Sequence, residues 1–242
     1  AKNQLAKRYG VKTAIPIWQA KQLCPKLVLV EPHYDRYVDF SRKARKIYET
    51  YTDMVEAFGI DECWLDVTGS RMLFGSGEEI AKEISRRIKR EMGITVSIGV
   101  SFNKSFAKLG SDLNKPMGIS LITKENYKEI VWPLPAECLL WVGKNTQKKL
   151  NNMGIMTIGD IAEIGHDIIV SVFGKNGEGL WRNAMGYDCS PVLRESELPA
   201  AKSIGKSVTG SKDLETEEEV FRTLLALSEN VSSKLRKCHL LC

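Results

Sequence analysis

Hydrophobic and polar positions along the chain fall into two periods, and their boundaries outline its elements. Tyr37, Val38, Phe40, Ala44, Ile47, Tyr48 and Tyr51 recur at helical spacing, with Arg42, Lys43, Arg45 and Lys46 on the opposite face; this predicts an amphipathic helix. Two strands are expected next, over about 54–60 and 62–68, followed by a helix at 77–92 whose stripe is Ile80, Ile84 and Ile88. The β-branched run "ITVSIGV" (94–100) reads as a strand, "NKSFAKLGSDLN" as a helix and "GISLIT" as a closing strand. Short helices are also expected in 1–10, stopped by Gly10, and in "PIWQAKQLCP", stopped by Pro25.

The order α-β-β-α-β lacks only an opening strand to become the split β-α-β-β-α-β sandwich. "LVLV" (27–30) is expected to be an edge strand, since Pro25 and Pro32 flank it. Past residue 124 the pattern changes to short helices with glycine stops: "TQKKLNNMG", "TIGDIAEIG", "DIIVSVFG" and "EGLWRNAMG". The fold class is therefore α+β, a ferredoxin-like layer missing its first strand followed by a small all-α unit. Residues 190–202 read as a linker, "SIGKSVTG" (203–210) as a strand, and 216–237 as a long helix opened by a Thr216–Glu219 capping box.

Composition narrows the class. The chain is 43% hydrophobic and 27% charged, which excludes a disordered protein. Residues 1–50 hold eleven Lys and Arg against four acids, whereas 51–100 are net acidic. That asymmetry suits a polyanionic partner. Six cysteines without a C-x-x-C pair point to a reduced, cytoplasmic protein. The first residue is Ala1 and the final "CHLLC" opens like a strand, so an excised piece of a longer protein is expected.

Three clusters carry candidate chemistry. Asp61 and Glu62 stand side by side at the junction of the two expected strands. Adjacent carboxylates there suit a divalent cation such as Mg²⁺, which takes hard oxygen ligands; an exposed hairpin tip is the competing reading. Asp66 is expected to act structurally, as a turn or cap partner for Thr68. In "SFNKSFAKLGSDLNKPMG" (101–118) the stripe Phe102, Phe106, Leu109 and Leu113 leaves Lys104 and Lys108 on another part of the surface. Lys115 follows the helix, placed for a triphosphate. In "LLWVGKNTQKKL" (139–150) Gly143 opens a helix whose backbone N–H groups suit a phosphate, with Lys144, Lys148 and Lys149 adding attraction; an ordinary helix start is the alternative.

Together "GIDECWLD" and "SFNKSFAKLGSDLNKPMG" resemble the signature segments of the Y-family, or translesion, DNA polymerases of the DNA polymerase IV and UmuC-like branch. The resemblance covers essentially the whole chain. It implies partial fingers at 1–32, an incomplete palm at 33–122, a thumb with a helix-hairpin-helix-like element at 123–189, a linker at 190–202 and the start of a little finger at 203–242. It implies an error-prone, template-directed polymerase using two Mg²⁺ ions, primer-template DNA and a deoxynucleoside triphosphate. The enzyme would act as a monomer and meet a sliding clamp through a segment beyond Cys242. Asp61 and Glu62 would be the catalytic and metal-binding acids; Lys115, with Lys7 and Gln4, would contact the nucleotide. Lys104, Lys108, Gly143, Lys144, Asn145, Thr146 and Lys149 would contact DNA.

There are departures from the family pattern. Gln4 and Lys7 stand where a Tyr and an Arg are usual, and Trp141 where the thumb hairpin commonly has Gly. Another metal-binding Asp and the residue that rejects ribonucleotides would precede Ala1, so this chain alone is expected to be inactive. Two rivals remain at this point: a nucleotidyl cyclase-like enzyme, and a non-catalytic DNA-binding relative.

Overall fold

A computed structural model describes residues 1–199, 202–210 and 212–240. The chain divides into two compact units, Ala1–Val192 and Leu193–Cys242.

The first unit opens with α1 (Gln4–Arg8) and α2 (Ile17–Leu23), which close a small core of their own around Ala6, Val11 and Ala20. Residues 27–30 are not a strand. Val28 and Val30 are each 81% exposed, because no strand among the described residues lies alongside to accept their ladder bonds.

Then come α3 (Tyr34–Tyr48), β1 (Val55–Ala57) and β2 (Cys63–Leu65), an antiparallel hairpin shorter than its apolar runs imply. Only the last turns of α3 bury the expected stripe, through Ala44, Ile47 and Tyr48. Tyr37, Val38 and Phe40 stay exposed.

A short α4 (Arg71–Phe74), not anticipated, leads into α5 (Gly77–Met92). Ser76 caps α5 and Glu79 answers with a reciprocal bond, a capping box that satisfies two otherwise orphaned N–H groups. Ile80, Ile84 and Ile88 are buried and pack with Ile47 and Tyr51 in one core. β3 (Ile98–Ser101), α6 (Lys104–Leu113) and β4 (Ile119–Ile122) then form a parallel β-α-β unit. Residues 94–97 remain outside the strand. Among the described residues the strands thus form two separate pairs, β1–β2 and β3–β4.

Gly99 explains how closely α6 sits on β3. A Cβ there would lie 1.9 Å from the Ala107 carbonyl oxygen, so any larger residue would push helix and strand apart.

Helices α7 (Tyr127–Val131), α8 (Lys144–Asn152), α9 (Ile158–Glu163), α10 (His166–Phe173) and α11 (Lys175–Ala184) complete the unit. Gly154, Gly165, Gly174 and Gly186 all have positive φ, as the expected stops require. The boundary drawn at residue 122 is not a break in packing. Phe106, Leu109 and Ile122 share one continuous core with Val131, Leu150 and Ile161.

In the second unit α12 (Glu217–Lys237) carries the expected Thr216–Glu219 capping box. Residues 203–210 are not a strand, again without a pairing neighbour among the described residues. Cys238 is a free thiol, and Leu241 and Cys242, the end of the expected final strand, lie outside the described residues. Among the described residues no helix is long and apolar enough to cross a membrane.

Candidate nucleotide and nucleic-acid site

The β1–β2 hairpin presents the acid pair. The Phe58 N–H donates to the Glu62 carbonyl at 2.9 Å and closes the turn, leaving Asp61 at its exposed tip and Glu62 half-buried. Asp66 accepts from the Thr68 N–H at 2.9 Å, the capping role anticipated for it.

The positive charge that makes this arrangement tolerable comes from α6. Lys108 Nζ lies 2.9 Å from Glu62 Oε1 and 2.8 Å from Asp112 Oδ2, and Lys115 Nζ lies 2.6 Å from Asp112 Oδ1. Glu62, Lys108, Asp112 and Lys115 therefore form one chain of alternating charge. Burial pulls Lys108 down, but its bonds to Asp112 and Glu62 outweigh that and hold the ammonium above its ordinary value. Burial likewise opposes ionisation of Asp112, yet Lys108 and Lys115 keep its carboxyl below the usual range. The spacing Lys108, Asp112, Lys115 was visible in the sequence as i,i+4 and i,i+3 partners, but Asp112 was not singled out.

Lys104 corrects an expectation. Its side chain is only 11% exposed, pairs with Glu56 at 2.6 Å and lies 4.8 Å over the Trp64 ring. Lys108, at 18%, is similarly withdrawn. Both turn inward because the hairpin supplies acids that the stripe on α6 does not reveal. Lys104 also receives the hairpin through its backbone: Trp64 Nε1 donates to its carbonyl at 3.1 Å.

Arg45 of α3 is a further brace that the sequence reading missed. Its Nη2 donates to the Gly59 carbonyl at 3.4 Å, on one side of the acid pair. On the other side it faces Cys63, whose thiol burial pushes up against the pull of the guanidinium.

Gly143 is the N-cap of α8 in extended backbone. Lys144, Asn145, Lys148 and Lys149 are exposed, Thr146 is half-buried, and α8 contains no acid. Among the described residues none of its three lysines pairs with a carboxylate. Trp141, just before it, takes φ of 74°, the conformation that glycine adopts freely. For a bulky residue that costs about 1–2 kcal/mol.

Gln4 and Lys7 are exposed on α1, and no hydrogen bond or ion pair among the described residues joins them to the acid hairpin. The donor set fits a divalent ion that completes its shell with water and substrate oxygens: two hard carboxylates, one of them free of a lysine. Among the described residues no group of three or more His, Cys, Asp or Glu is assembled for a metal.

The chain is similar to known proteins along most of its length. Residues 1–112 match the impB/mucB/samB family and residues 201–242 that family's C-terminal domain. The chain is 53% identical over 241 residues to DNA polymerase IV of Acetivibrio thermocellus, covering 99% of this chain and 60% of the relative. It is 41% identical to DNA polymerase IV of Desulfatibacillum aliphaticivorans, over 96% of this chain and 58% of the relative. The chain thus spans about three-fifths of the length of these relatives. Among solved structures, DinB from Sulfolobus solfataricus superposes with a TM-score of 0.72 at 29% identity, covering 79% of this chain and 57% of that one. An insertion ternary complex of Dbh DNA polymerase gives 0.71 at 30%, covering 78% and 56%.

Proposed function

The chain belongs to the impB/mucB/samB family, the DinB-like Y-family DNA polymerases, and on that premise we propose that it is part of an error-prone, template-directed DNA polymerase. The reaction is attack of a primer 3′-hydroxyl on the α-phosphate of a deoxynucleoside triphosphate, with release of pyrophosphate. In this reading residues 1–32 are fingers, 33–122 palm, 123–189 thumb, 190–202 linker and 203–242 the start of the little finger.

One observation carries the proposal: the alternating chain Glu62–Lys108–Asp112–Lys115 joins the acid hairpin to the lysine suited to a triphosphate. Asp61 and Glu62 would hold divalent ions. When bound, these neutralise phosphate charge and act as Lewis acids. Lys108 balances the charge of Glu62 through its ion pair, and Asp112 steers both lysines. Lys115, itself half-exposed, turns from Asp112 toward the phosphates, with Lys7 and Gln4 as further contacts from the fingers. Catalysis here is positioning and charge neutralisation rather than covalent chemistry.

Primer-template DNA lies across α8, where Gly143, Lys144, Asn145, Thr146 and Lys149 meet its phosphates. A sliding clamp is the further partner of the whole enzyme, which acts as a monomer in the cytoplasm. With two carboxylates at the site, the 242 residues alone bind DNA but do not extend it.

Titration of labelled primer-template at two salt concentrations, paired with a primer-extension assay, tests this reading. Affinity should fall steeply with salt and no extension should appear. Salt-independent affinity would sink the nucleic-acid assignment, and robust extension would sink the two-carboxylate account.

A further inference from the structure

Trp141 is 71% exposed, and its ring partner among the described residues is Phe58, met edge-on at 6.2 Å. So open a placement does not explain why a bulky residue is held in the left-handed region. Phe58 in turn lies 4.5 Å from Trp64, over which the Lys104 ammonium sits. The three rings form a row that Lys104 closes at one end and Trp141 leaves open at the other.

Beside the row is a cavity of about 290 Å³, whose wall includes Phe58, Trp64, Trp141, Glu56 and Asp188. Its acids are engaged: Glu56 with Lys104, and Asp188 with the Ser105 N–H and hydroxyl and with Ser190. The wall therefore offers aromatic faces with its charges compensated. Three lysines without carboxylate partners among the described residues follow on α8.

We propose that Trp141 bears on a DNA strand, its indole taking the deoxyribose and base while the α8 lysines take the adjoining phosphates. The placement deepens the DNA-binding reading above and rests on it. Basic residues interleaved with aromatic rings match the alternation of phosphate and π-face along a nucleic acid. An apolar protein surface would leave the lysines unanswered.

The experiment titrates labelled primer-template with the wild-type chain, Trp141→Gly and Trp141→Phe at several salt concentrations, beside thermal melts and sedimentation. Glycine suits the backbone at 141, so Trp141→Gly should melt about 3 °C higher and yet bind DNA about tenfold more weakly. Trp141→Phe should stay within about threefold of wild type. The salt slope should be unchanged in both, because no phosphate contact is removed.

Equal or tighter binding by Trp141→Gly overturns the inference, and a steeper slope in that variant would mean that the indole holds DNA away. A wild-type dimer that Trp141→Gly dissolves, with DNA binding unaltered, assigns the ring to a second copy and also overturns it. If the wild type binds DNA in a salt-sensitive way while Trp141→Gly matches it, only this inference fails. If the wild type binds no DNA, the underlying reading fails as well.

Discussion

The lysines of α6 and those of α8 meet opposite fates. Lys104 and Lys108 pair with Glu56, Glu62 and Asp112 and are largely withdrawn from solvent. Lys144, Lys148 and Lys149 stand exposed on a helix with no acid. The same residue type therefore does two jobs: on α6 it makes neighbouring carboxylates tolerable, and on α8 it remains available to an outside anion. Charge already compensated inside the protein releases no counterions on binding, so salt dependence should arise from α8 and internal stability from α6.

The largest expected effect tests the inward side. Lys104→Met removes a charged partner of a mostly buried Glu56 and leaves its own site on α6 without a charge, and should destabilise the fold by about 3 kcal/mol. Denaturant unfolding reads that loss, and the salt slope for DNA measured below the transition should not change.

The reverse pattern is expected of the double variant Lys144→Ala/Lys149→Ala. Its unfolding midpoint should hold, while primer-template affinity falls by at least about tenfold and the slope of log affinity against log salt drops by about two. If both variants altered stability and slope alike, the two helices would not be distinct in role.

A smaller effect probes the acid pair. Lys108 competes with any cation for Glu62, so Lys108→Met should tighten Mn²⁺ binding by about threefold, measured by calorimetry. Weaker binding would mean that Lys108 organises the carboxylates rather than competing for them.

The smallest effect is a pH dependence. The Asp112 carboxyl is held low, so its contribution to stability is fully present above the ordinary carboxylate range and is lost as pH falls through the folded value. Melts from pH 7 to pH 3 should show the wild-type advantage over Asp112→Asn shrinking toward zero. A constant difference would place the contribution in packing instead.

Helix starts were legible because their signals are local. The expected Thr216–Glu219 capping box forms, and Ser76 with Glu79, not singled out in the sequence, makes another at the same three-residue spacing. Strands were legible only where a partner follows: β1 and β2 pair across a short turn, whereas 27–30 and 203–210, also read as strands, find no neighbour among the described residues. The inward turn of Lys104 could not be read, since its partner Glu56 is 48 residues away. Arg45 was hidden for a similar reason, on a helix face that otherwise looks solvated. Trp141 was partly legible, as a bulky residue where the family commonly keeps glycine, and the positive φ is the physical content of that departure.

Calorimetric titration of a deoxynucleoside triphosphate into the 242-residue chain, with Mg²⁺ and with a chelator, measures the central claim most directly. Wild-type binding should be about tenfold tighter with Mg²⁺, and Asp61→Asn should erase that difference. Equal affinity under both conditions in the wild type, or a Mg²⁺-dependent gain that survives in Asp61→Asn, would contradict the account.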